Sequence, residues 1–204
     1  MLFQAAKKRR TVSINRIRCT VTEEELISGC IRKEAKCQKQ LFDLYAGRLF
    51  GVCLRYARNR GDAEDILQDA FIKIFDKINQ FKREGSFEGW MKRIAVNTAL
   101  KKYSVSRYRQ EVTDSDKIGR LEISLDETVY SHLGEKELLK MIQDLPEGYR
   151  LVFNLYVMEG YQHNEIAEML NIQAGTSRSQ LVKARMMLQK QILEIQKQNC
   201  NEII

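Results

Sequence analysis

Proline is almost missing from this chain. Pro146 stands alone among 204 residues, and glycine is held to 11. An all-β chain turns often and needs both, so their scarcity favours an all-α protein. Histidine is equally rare, with only His132 and His163, and none of the five cysteines (Cys19, Cys30, Cys37, Cys53, Cys200) forms a CxxC pair. No metal site is expected from so few ligands, and reduced thiols in a cytoplasmic protein are the simplest account of the cysteines. No apolar run approaches the ~20 residues of a membrane span, so membrane insertion is not expected. Residues 1–20 contain no acid but carry Lys7, Lys8, Arg9, Arg10, Arg16 and Arg18, six of the seven net positive charges. That arm lacks the apolar core of a signal peptide, and residues 1–21 read as a disordered arm, a mis-assigned start or an expression remnant. The remainder is nearly balanced, so overall charge says little about nucleic acid and local patches must decide.

What is present is helical periodicity. Thr22-Glu23-Glu24-Glu25 has the form of a capping box with acids in the first turn. Leu41, Tyr45, Leu49, Val52 and Tyr56 recur every three or four residues, which predicts a long helix over about 34–59. Asp62 is expected to cap the next helix, about 63–78, whose apolar face holds Ile66, Ala70, Ile74 and Ile78, supported by Phe71 and Phe75. Residues 79–86 read as a polar loop, and Ser86 as the cap of a helix reaching about Tyr108. From Glu111 to Glu137 eight acids stand against Lys117, Arg120 and Lys136 with little periodicity. Residues 109–133 therefore read as a flexible acidic linker between a unit at 22–108 and a second at 134–198. In the second unit Pro146 suits the first turn of a helix.

The sharpest local pattern lies at 162–195. Residues 165–170 form a short amphipathic helix, 171–174 a turn, and Gly175-Thr176-Ser177 opens a longer helix. Leu181, Ala184, Leu188, Ile192 and Ile195 face inward, which leaves Arg178, Ser179, Val182 and Lys183 on the other face. A DNA major groove admits one helix, and residues near its start reach base edges. Small Ala167 permits a close crossing, and Thr176 is expected to cap the longer helix and to present backbone N–H groups to a phosphate. A plain helical hairpin with a solvated basic face would share this pattern.

Two further segments differ in charge. Asp62, Asp65 and Asp69 share one helix face, which suits a solvated surface, a basic partner, or a nuclease metal site that would need more ligands than these. At 82–109, Lys82, Arg83, Lys92, Arg93, Lys101, Lys102, Arg107 and Arg109 interleave with Phe81, Phe87, Trp90, Tyr103 and Tyr108. Such a mixture suits a single strand, because cations follow phosphates and rings accept unstacked bases. Phe87 and Trp90 are also natural core residues. Asn97 and Lys101 are candidate strand or phosphate contacts, although Lys101 would serve equally as a solvated lysine.

Sequence 161–185, YQHNEIAEMLNIQAGTSRSQLVKAR, resembles region 4.2 of extracytoplasmic-function (ECF) sigma factors of RNA polymerase, and LPEGYRLVF at 145–153 resembles the opening of their domain 4. GDAEDILQDAFIKIF at 61–75 resembles region 2.2, and FEGWMKRIAVNTA at 87–99 resembles regions 2.3 and 2.4. Two departures are His163, where the family usually has Tyr, and Gln180, where many members have Arg. The resemblance implies two small helical domains, region 2 and region 4, and no catalytic residue or cofactor. It implies that Asp65, Gln68, Asp69 and Phe71 dock on core RNA polymerase. It places Asn79, Gln80, Phe81, Lys82, Arg83, Trp90, Lys92, Arg93, Asn97 and Lys101 on the melted non-template strand of the minus-10 element, with a flipped base held near 79–83. It places Thr176, Arg178, Ser179, Val182 and Lys183 on the minus-35 promoter duplex, and it implies an anti-sigma factor as partner. Two rivals are a stand-alone helix-turn-helix regulator, which leaves 22–108 without a role, and a nuclease built on the three aspartates.

Overall fold

A computed structural model of the chain describes residues 22–107 and 134–201. The basic arm and the acidic linker, with Tyr108 and Arg109, lie outside the described residues. Those described form eight α-helices and no strand, as the missing proline and glycine led one to expect.

The first unit holds α1 (Glu23–Ile31), α2 (Ala35–Tyr56), α3 (Arg60–Lys77) and α4 (Phe87–Arg107). The capping box at the start of α1 is complete. The Thr22 amide donates to Glu25 Oε2 at 2.8 Å, and the Glu25 amide donates to Thr22 Oγ1 at 3.2 Å. The predicted stripe of α2 is buried from Leu41 to Tyr56. Helix α3 starts earlier than expected. Asn59, not Asp62, is its cap, and its side chain accepts the Asp62 amide at 2.8 Å. Asn and Asp cap about equally well, so the earlier residue takes the role and Asp62 becomes a first-turn acid. A 3₁₀ turn at Ile78–Gln80 ends α3. Ser86 then accepts the Gly89 amide at the start of α4. Leu41, Leu49, Tyr56, Ile66, Ile74, Phe87 and Met91 fill the centre between α2, α3 and α4.

The second unit holds α5 (Glu135–Gln143), α6 (Glu147–Phe153), α7 (His163–Leu170) and α8 (Ala174–Asn201). Pro146 is the cap residue just outside α6 rather than a residue of its first turn. Helix α6 widens into a π turn at Asn154–Met158, which the 3.6-residue period gave no reason to expect. Gly160, at φ +78°, then breaks the chain direction. Asn171, at φ 52°, closes α7 in the left-handed conformation, and the Ile172 amide donates to the Ala167 carbonyl at 3.0 Å.

The two units touch. The Gln143 side chain donates to the Leu54 carbonyl at 3.0 Å, and that of Asn154 donates to the Arg55 carbonyl at 2.8 Å. Arg55 pairs with Glu159 at 3.0 Å and Arg58 with Glu147 at 2.5 Å. Arg150 is buried here, 5.8 Å from the centroid of the Tyr103 ring. Burial holds its guanidinium below the ordinary range. Beside these polar contacts, Leu151, Val152 and Leu155 of the second unit join the apolar core of the first.

Candidate nucleic-acid and polymerase-docking faces

Helix α8 begins at Ala174, one residue before the expected glycine, and the Ser177 amide donates to the Gln173 carbonyl at 3.0 Å. Thr176 therefore lies inside the first turn and does not cap the helix. Leu181, Ala184, Leu188 and Ile192 are buried, and Ile195 is half-buried. Arg178 and Val182 are exposed on the opposite side, and Thr176, Ser179 and Lys183 are half-buried. The Ser179 hydroxyl already donates to the Thr176 carbonyl at 3.0 Å. It must turn away from that carbonyl to donate to a base. Lys183 leans over the Tyr149 ring, 6.0 Å from its centroid. Arg178 has no carboxylate partner among the described residues, so its five donors are available to a base edge or a phosphate.

A side-chain network lies beneath this face that apolar spacing does not reveal. His163 Nδ1 shares a 2.9 Å hydrogen bond with the hydroxyl of Ser177, which is fully buried. The His163 ring stacks on Tyr156 at 4.6 Å, and Arg185 sits over Tyr156 at 5.9 Å. Burial first, then the Arg178 and Arg185 charges, lower the pKa of His163. The ring is thus neutral near pH 7. Only the departure from Tyr at position 163 marked this residue in advance.

The α3 face is also reshaped by the fold. Asp65, Gln68 and Asp69 are exposed as expected, but Phe71 is only 3% exposed. It packs against Phe42 at 4.6 Å and Phe75 at 5.8 Å. Phe71 is therefore a core residue, one helical step away from the acids, and cannot itself meet a partner. Phe42 and Ile72, 40% and 60% exposed, are the apolar groups that reach the surface nearby. The acids are partly neutralised within the chain. Lys102 on α4 reaches Asp62 at 3.2 Å and Asp65 at 3.1 Å. Burial works against the Lys102 charge, yet these carboxylates raise its pKa. Asp65, Gln68, Asp69, Lys73, Thr98 and Lys101 join Lys102 around an open groove of about 710 Å³ between α3 and α4.

The strand-binding candidates divide by exposure. Asn79, Gln80, Lys82 and Arg83 are exposed around the end of α3, with Arg83 at φ 61°. Phe81 is half-buried, 5.0 Å from Phe87 and 5.6 Å from Trp90. Trp90 is itself half-buried and stacks on Phe87 at 5.6 Å. Phe87 is core, as expected, while the other two rings offer only an edge or a face. Lys92 is paired with Glu88 at 3.1 Å. Arg93, Asn97 and Lys101 recur every four residues and form one exposed stripe along α4. Its last member, Lys101, lines the α3–α4 groove.

No cluster of His, Cys, Asp or Glu among the described residues could hold a metal ion. No described helix is long and apolar enough to cross a membrane. The Sigma-70 region 2 family matches residues 41–109, and the Sigma-70 region 4 family matches residues 135–188. The chain is similar to the ECF RNA polymerase sigma-E factor of Haemophilus influenzae, with 29% identity over 184 residues, 84% of this chain and 96% of that one. It is 30% identical over 176 residues to the ECF sigma-E factor of Escherichia coli K12, covering 81% of this chain and 91% of its relative. A solved structure of the Bartonella quintana sigma factor RpoE in complex with the anti-sigma factor NepR aligns with a TM-score of 0.47 and 25% identity, over 77% of this chain and 96% of that one. Both region matches fall in the expected order on either side of the acidic segment, and the chain belongs to the sigma-70 family of RNA polymerase sigma factors, in its ECF group.

Proposed function

We propose that this sigma factor reads the minus-35 duplex through α8 and the melted minus-10 strand through α4 and the loop before it. The observation that carries this reading is the exposed cationic surface present on each unit. Arg178, Val182 and Lys183 at the start of α8 suit a major groove, with Thr176 and Ser179 near its edge. Asn79, Gln80, Lys82 and Arg83, continued by Arg93, Asn97 and Lys101, suit a single strand, with Phe81 and Trp90 as stacking edges. Asp65, Gln68 and Asp69, with Phe42 and Ile72 beside them, form the surface for core polymerase. Neither a solvated helical hairpin nor a stand-alone regulator accounts for the second and third surfaces.

Elements centred at minus-35 and minus-10 lie about 25 base pairs apart, or roughly 85 Å at about 3.4 Å per pair. Two units in direct contact cannot span that distance, so the contact between them must open on the polymerase. The acidic linker at 109–133 would join the two weak sites into one strong one. Work at promoters places the protein in the cytoplasm, where an anti-sigma factor would hold it inactive. Run-off transcription of genomic DNA with purified core polymerase tests this function. Specific starts that share two conserved elements are expected, and random starts with every related core enzyme would refute it.

A further inference from the structure

We propose that His163 and Ser177 form a positioning device that sets the recognition helix α8, so that reading of the minus-35 duplex depends on a pair that never touches a base. The inference rests on the assignment of α8 to that duplex.

The geometry supports it in three ways. First, the pair joins the opening turns of both helices of the motif. His163 is the first residue of α7, and Ser177 lies in the first turns of α8, directly before Arg178. Their 2.9 Å hydrogen bond spans 14 residues of chain. Second, Ser177 is fully buried, so its hydroxyl cannot exchange His163 for water. Third, α8 is held at two points, not one. The His163 ring stacks nearly parallel on Tyr156, at an interplanar angle of 20°, and Arg185 lies over that same tyrosine. Ser177 and Arg185 are eight residues apart, a little over two turns. A helix held at one point can still roll about its axis, whereas one held at two points cannot.

Roll is the motion that matters to base reading. Successive residues stand about 100° apart around a helix, so a modest roll carries the tips of Arg178 and Lys183 away from the edges they must meet. Tyr156 lies in the π turn at Asn154–Met158, whose widened coil shifts the residues after it relative to a regular helix. The π turn and the histidine thus act together, the one presenting the ring on which the other rests. A neutral ring keeps one nitrogen free to accept the Ser177 hydroxyl proton, and the same bond forms with the roles reversed in the other tautomer.

The test uses the full chain with core polymerase on two versions of a promoter identified by run-off. One is an intact duplex with its minus-35 element; the other is pre-melted at minus-10 and has that element scrambled. The variants are His163→Phe, which keeps a stacking ring but loses Nδ1, Ser177→Ala, their double, and His163→Asn, which returns a hydrogen-bonding atom near Nδ1. The proposal expects each of the first two to lower initiation on the intact duplex about tenfold, the scale of one lost base contact. It expects unchanged output on the pre-melted template, a double variant no worse than either single, and partial recovery with His163→Asn. Additive losses in the double, equal losses on both templates, or no loss at all would overturn it. A wild-type chain indifferent to the minus-35 sequence would instead overturn the reading of α8 on which the proposal rests.

Discussion

The two faces proposed to bind partners handle charge in opposite ways. On α3 and α4 part of the charge is satisfied within the chain, with Lys102 shared by Asp62 and Asp65 and Lys92 held by Glu88. On α8 the cations lean on aromatic rings, Lys183 on Tyr149 and Arg185 on Tyr156, and Arg178 meets no acid among the described residues. A ring supports a cation without neutralising it, so α8 keeps its full attraction for phosphate. A face of paired charges must break its own contacts before it binds, and so favours a specific protein partner over any polyanion.

The largest expected effect comes from reversing the unpaired cation. Arg178→Glu should lower minus-35-dependent transcription by about 100-fold or more, since it removes a guanidinium contact and adds repulsion from phosphate. A variant within threefold of wild type would erase the contrast between the faces. Next comes Asp69→Lys on the proposed docking face. It should weaken binding to core polymerase by about tenfold, as read by fluorescence anisotropy, while leaving the affinity of α8 for duplex DNA unchanged.

These two predictions rest on residues that sequence spacing located well. Apolar periodicity marked the buried stripes of α3 and α8 and so exposed Asp69 and Arg178 by elimination. Spacing failed wherever the partner lay far along the chain. Lys102 reaches Asp65 across 37 residues, and Arg58 reaches Glu147 across 89. No local period contains such pairs. Periodicity set Phe71 beside the apolar face of α3 whereas the resemblance set it on the docking surface, and the buried ring agrees with the first. On an amphipathic helix the acids and the core are neighbours, and only the packing of Phe42 above it shows that this ring is covered. The π turn and the Asn59 cap were missed because one extra residue, or one equivalent capping residue, shifts an element without changing its composition.

Smaller effects would sharpen the contrast. Lys102→Met releases Asp62 and Asp65 from their internal partner, and polymerase affinity should rise about threefold. A loss would show that Lys102 itself meets the polymerase. On α8, Lys183→Ala should reduce the slope of log affinity against log salt by about one, measured on a minus-35 duplex. Arg58→Glu should loosen the contact between the units and increase the radius of gyration of the free chain in X-ray scattering. The exchanged pair Arg58→Glu with Glu147→Arg should reverse much of that increase. Equal radii for all three proteins would mean that this ion pair does not hold the units together.

The account stands or falls on joint reading of two elements by two faces. Permanganate reactivity of minus-10 thymines, in complexes of core polymerase with this chain on a promoter found by run-off, tests it most directly. Strong reactivity is expected with wild type. It should be weakened with Arg178→Glu on the intact promoter, while transcript output from a pre-melted template stays at the wild-type level. Wild-type melting that ignores the minus-35 sequence, or no melting with any related core enzyme, would contradict the account.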